Sequence, residues 1–192
     1  MPTILATPFS EGAWARGSFS GTLSASLVNL NIDTSKDNSE ENYVLSKEGS
    51  FTWQKFEFTK GIIWPLDLNV SFSFNEENKM LKWNGLLQYS IFQKPFFPSV
   101  SLRSGYSHLN WINHFEASNF DISIATSWGY SYLTIFASRI ENFSSIVSQN
   151  YQNSQNQYGI QMKLNPLSRL SFSRVLEEEK PVSNEIKFSV GL

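Results

Sequence analysis

Between Leu66 and Asn75 the chain alternates without a break: Leu66, Leu68, Val70, Phe72 and Phe74 interleave with Asp67, Asn69, Ser71, Ser73 and Asn75. A period of two places the two sets on opposite faces of a β-strand, whereas a helix needs a period near 3.6. The same rhythm returns in Leu81–Ile91, Val100–Ser107, Phe120–Tyr130, Tyr158–Phe172 and Ile186–Leu192. In 132–140 two phases compete, one through Leu133, Ile135 and Ala137, the other through Tyr132, Phe136 and Ile140. Two stretches change phase, Leu27 to Val28 in 17–32 and Trp53 to Phe56 in 51–62, as a bulge would produce. Ten strands and no convincing helix follow from this reading.

The connections fall into two kinds. Polar or charged segments (33–50, 75–79, 108–118, 141–157, 177–185) interleave with tight turns rich in Pro, Gly and aromatics (63–65, 93–98, 129–132, 165–168). Long loops at one end and short turns at the other, on an even number of antiparallel strands, are the plan of a transmembrane barrel of the bacterial outer membrane. The expected fold is therefore all-β, a closed antiparallel up-and-down barrel of about ten transmembrane strands, with 1–192 as one domain. Closure is required because an open edge would leave backbone groups unpaired in hydrocarbon. Alternation alone also suits a soluble ligand-binding barrel with its aromatics inside. Loop asymmetry, aromatic placement and a polar face of Ser, Asn and scattered charge favour the membrane.

Composition closes off other classes. The chain has no Cys and only His108 and His114, which removes disulfides, thiolate metal sites and multi-histidine centres. A net charge of −2 removes nucleic acid as the main partner. No run approaches the 18 apolar residues of a membrane helix. Gly12, Gly17 and Gly21 fit no phosphate loop, and no cofactor or metal is expected. The first residues show no basic segment followed by an apolar run. Either the protein is not exported or a leader has been removed, with 1–16 an N-terminal segment.

Several segments resemble a family of uncharacterised Gram-negative outer-membrane barrels with a short meander: ATPFSEGAW (6–14), FTKGIIWPLDLNVSFS (58–73), WNGLLQYSIFQKPFFPSVSLRSGYSHL (83–109), FDISIATSWGYSYLTIFAS (120–138) and the closing 158–192. The resemblance covers most of the chain, least of all near 33–50. It implies a fold and a location but no activity, so no functional residue is carried over. The chain departs from the family in lacking the leader and in ending on Leu192 where such barrels end in Phe or Trp.

On this reading Glu57, Asp67, Lys82, Arg103, Asp121, Lys163 and Lys187 occupy the polar face and line the lumen, where a salt-bridged plug is favoured over a charged pore. Trp64, Phe96, Phe97, Tyr130 and Tyr132 gather at the short-turn end as interface aromatics, with Trp53, Trp83, Tyr106 and Trp111 toward the other. Ser107, His108, His114 and Glu116 could furnish a lipid-modifying enzyme at the rim, but residues 107 and 108 of one strand face opposite sides. The expected function is non-enzymatic, structural or passive transport of small solutes or apolar compounds. Expected partners are outer-membrane lipid, lipopolysaccharide and the barrel-assembly machinery, with the solute unknown.

Overall fold

The structure is a computed structural model and describes residues 20–32, 49–76, 79–93, 97–111, 115–130, 132–146 and 149–192. Its ten strands are β1 (Gly21–Ile32), β2 (Gly49–Ile63), β3 (Leu66–Asn75), β4 (Met80–Phe92), β5 (Ser99–Trp111), β6 (Phe115–Tyr130), β7 (Leu133–Ile146), β8 (Gln149–Lys163), β9 (Ser168–Glu177) and β10 (Lys180–Gly191). Each pairs antiparallel with its sequence neighbours, and β1 closes on β10 from Thr22–Gly191 to Leu30–Ser183. Every strand edge is thereby used, as a hydrocarbon environment demands.

Directly paired residues followed around the barrel from Tyr151, through Ser107, Glu57 and Ser24, return to β8 at Lys163, twelve residues away. Ten strands with that stagger tilt by about 40° and enclose a cylinder of about 10 Å radius. The connection 33–48 and the β3–β4, β5–β6, β7–β8 and β9–β10 turns lie at one end, here the distal end. The other is the terminal end, where Leu192 N–H donates to the Gly21 carbonyl at 3.0 Å.

The outward faces are oily: Leu27, Phe56, Phe72, Leu87, Ile124 and Ile186, drawn from six strands, are all exposed. The inward faces carry Ser, Asn, Gln and charge, the reverse of a soluble barrel. On β4 the apolar outer residues run from Leu81 to Ile91, about 26 Å along the barrel axis, the height of a transmembrane belt. The fold is a closed, membrane-spanning antiparallel barrel.

Two sequence expectations need correction. The phase changes in β1 and β2 are not bulges, because the two strands pair without interruption from Gly21–Lys60 to Ile32–Gly49. Instead Val28, Leu30 and Trp53 stay on the inward face, and it is the inward face that turns apolar. Register shifts occur elsewhere, near strand ends, between Gly61 and Ile63, Ser90 and Phe92, and Pro181 and Ser183.

The polar segments 108–118, 141–157 and 177–185 are mostly strand, not loop. Their backbones continue the ladder beyond the oily belt, as in Asn142–Asn153 and Ser144–Tyr151, where side chains on both faces need no hydrocarbon partner. The β9–β10 connection is only Glu178 and Glu179, both at positive φ (47° and 69°), as two-residue hairpins require. Nearly all of the long segment 33–50 lies outside the described residues, so the expected loop asymmetry does not appear among those described. In β7 the phase is resolved: Leu133 and Ile135 face out, while Phe136 and Ile140 are buried.

Candidate functional site: the barrel interior

The interior is built in three tiers. Toward the terminal end it is mostly small and neutral, apart from the buried Asp67. Asn69 donates to Thr59 Oγ1 at 2.8 Å, Ser24 to Ser189 at 3.1 Å and Gln161 to Ser171 at 3.3 Å. Toward the distal end it is mixed: Val28, Leu30, Trp53, Met80, Leu109 and Val175 are buried beside Asn75, and Asn119 donates to Asn142 Oδ1 at 3.3 Å and accepts from Ser144 at 2.8 Å.

Between these tiers lies charge. Lys55 Nζ sits 2.9 Å from Glu57 and 3.6 Å from Glu185, while Lys187 donates from the other side to Glu57 Oε1. All four side chains are 1% exposed or less where their ion pairs are measured. The network spans three strands, because β2 and β10 both flank β1. Ser26 of β1 pairs with Lys55 on one side and Lys187 on the other. A serine there is short enough to leave the interior above it to the longer charged chains.

A second charged group lies on β4, β5 and β6. Arg103 Nε donates to Gln88 Oε1 at 2.8 Å across the directly paired strands. The half-buried Asp121 folds over its partner Gly105, where a Cβ would lie 2.6 Å from Oδ2. Lys82 of β4 is buried on the same inward face, and Asp67 of β3 is buried nearer the terminal end. The wall of β7 and β8 keeps hydrogen-bonding capacity in reserve: Asn142 Nδ2, Gln155 Oε1 and Gln157 Nε2 make no hydrogen bond within the protein.

Of the residues proposed from the sequence, Glu57, Asp67, Lys82, Arg103 and Lys187 are buried in the interior, and Asp121 is partly so. Lys163 is not: it ends β8 at the terminal rim, exposed. Lys55 and Glu185 were missed. Glu185 falls in the polar segment 177–185, which reads as a loop, and Lys55 falls in the phase change of 51–62. Strict counting by two, from Glu57 back to Lys55 and from Lys187 back to Glu185, would have found both.

Among the aromatics, Trp64, Phe97 and Tyr132 are exposed in terminal-end turns. Phe96 and the side chain of Tyr130 lie outside the described residues. Trp83 and Tyr106 face outward with ring centroids 5.4 Å apart, while Trp53 points inward, contrary to expectation. The side chain of Trp111 is also outside the described residues. The rim constellation is not assembled: Ser107 is buried inside, His108 faces outward against Trp83, and Glu116 is exposed. His114 lies outside the described residues.

No family model and no curated protein matches the sequence. Among solved structures, an outer membrane channel from Pseudomonas putida F1 aligns over 96% of this chain and 100% of its own, with a TM-score of 0.56 and 6% identity. An outer membrane protease from Escherichia coli aligns over 90% of this chain and 92% of its own, at a TM-score of 0.39 and 7% identity, a likeness too loose to carry an argument. The first match concerns the fold alone, and it agrees with the oily exterior and polar interior: this chain has the closed transmembrane β-barrel fold of outer-membrane proteins.

Proposed function

We propose that this chain is a non-enzymatic barrel of the bacterial outer membrane whose interior is closed to ions and admits at most small uncharged polar solutes. The observation that carries the reading is Glu57 held between Lys55 and Lys187 in the middle of the lumen. An ion crossing this level must displace paired, buried charges, which costs several kcal/mol per ion. Beyond it Trp53, Val28 and Leu30 fill part of the distal interior and narrow the same passage. The spare amide groups of Asn142 and Gln157 suit water-sized hydrogen-bonding solutes better than apolar compounds.

In this reading Trp64, Phe97 and Tyr132 anchor the terminal end at the lipid–water boundary. Outer-membrane lipid and lipopolysaccharide surround the belt, and the barrel-assembly machinery inserts it.

The test is reconstitution. In planar bilayers the wild-type protein is expected to give no steady ohmic steps, while the Glu57→Ala/Lys187→Ala double variant gives measurable ion current. Large steps from the wild type would overturn the closed lumen. Lipid hydrolysis or acyl transfer by the wild type, absent in His108→Ala, would overturn the non-enzymatic part.

A further inference from the structure

The outer wall of β6 to β10 carries a groove of about 800 Å³. It follows two adjacent rows of paired residues. One row is Thr126, Ala137, Tyr158, Arg174 and Asn184; the other is Trp128, Ile135, Ile160, Phe172 and Ile186. Thr126 and Ala137 are small beside Trp128, Ile135 and Tyr158, which leaves a trough in the oily surface. Five strands at their usual spacing make it about 19 Å long, the reach of a long acyl chain.

The groove is apolar along most of its length and polar at one end. Arg174 is exposed on β9, donates to Asn184 Oδ1 at 2.8 Å, and has no carboxylate partner among the described residues. Arg139, one row nearer the distal end, is paired with Glu141 at 3.2 Å. Because the strands tilt, the rows climb from Trp128 and Pro98 near the terminal end toward Arg174 and Asn184 nearer the distal end. The opposite wall is still apolar at this level, with Tyr106 and Trp83 outward. A similar groove of about 620 Å³ over Ala25, between Phe56, Phe72 and Phe188, has no cation among its lining residues.

A trough of chain length with an arginine at one end matches a lipid that has an acyl chain and a phosphate. We propose that this groove is a binding site for the phosphorylated, acylated glycolipid of the outer leaflet, with its phosphate on Arg174 and one chain lying over Ala137 toward Trp128. The leaflet follows from the outer-membrane reading above, on which this inference rests: Ile32 and Gly49, the strand ends separated by the most residues, are both distal, and in such barrels the longer connections face outward.

Native mass spectrometry of the detergent-purified barrel tests it. The probes are bisphosphorylated lipid A, its dephosphorylated form, and phosphatidylglycerol. One bisphosphorylated lipid A is expected per barrel, bound about tenfold more weakly by Arg174→Gln. Ala137→Trp, which fills the trough, should abolish that binding, while Ala25→Trp on the other groove leaves it unchanged. Equal binding by all variants, a preference for phosphatidylglycerol, or a dimer that Ala137→Trp dissociates would overturn the site. Gel mobility of boiled and unboiled samples separates the two readings. An intact heat-dependent shift without lipid binding removes the site alone, whereas a wild-type protein that stays soluble without detergent removes the membrane reading itself.

Discussion

Lys187 and Glu57 are 130 positions apart and bonded inside the barrel across an intervening strand, so their contact exists only once β1 has closed on β10. Removing one partner strands buried charge. Glu57→Gln is expected to cost about 3–5 kcal/mol, since it leaves Lys55 and Lys187 without their shared carboxylate. Adding Lys187→Met should recover part of that loss. Urea unfolding in lipid vesicles measures both, and an additive double variant would show that the pair is not coupled.

Gly105 and Asp121 predict a different coupling. Gly105→Ala places a methyl group against the Asp121 carboxylate and is expected to cost about 1–3 kcal/mol. In an Asp121→Ala background the same change should be nearly neutral. Gly85→Ala serves as the control, because a Cβ there meets nothing within 4 Å.

Trp53 is the largest apolar side chain of the distal tier, only 2% exposed. Trp53→Ala should destabilise the barrel by about 3–5 kcal/mol through the cavity it leaves. It should also speed water exchange in liposomes, measured by stopped-flow light scattering. Unchanged water flux would remove the distal tier from the barrier.

The belt makes a depth-dependent prediction. Phe56 faces outward at 53% exposure between Ala25 and Phe72 in the oily wall, and Phe56→Arg is expected to cost about 2–4 kcal/mol. Gln152→Arg, on the outward face of β8 beyond the belt, should cost no more than about 1 kcal/mol. Equal costs in a vesicle-unfolding assay would contradict the placement of the belt.

The strand count, the barrel class and most of the inward charges were legible in the residues, because a strand's two faces are written into neighbouring positions. Asp67 beside Leu66 and Leu68 announces its own side of the sheet. That logic failed where a face changed hydropathy along its length. Val28, Leu30 and Trp53 look like slipped register because oily residues are expected to point at lipid, whereas on β1 and β2 the distal part of the inward face is itself apolar. It failed again in 149–157, where Gln, Asn and Ser on both faces gave no alternation to read. There only the ladder from Gln149 to Gln155 shows a strand.

Alternation is a local property, so the sequence by itself determined that this chain makes strands with an oily and a polar side. Which strands meet, and therefore which charges meet, depends on the twelve-residue stagger of closure. Closure of β1 on β10 sets Lys187 over Ser26 beside Lys55 and Glu57, while the register of the successive strands β6 to β10 sets Arg174 at the end of a trough floored by Ala137. Neither grouping can be read from spacing along the chain, because both arise from pairing across strands, which only the closed tertiary structure decides.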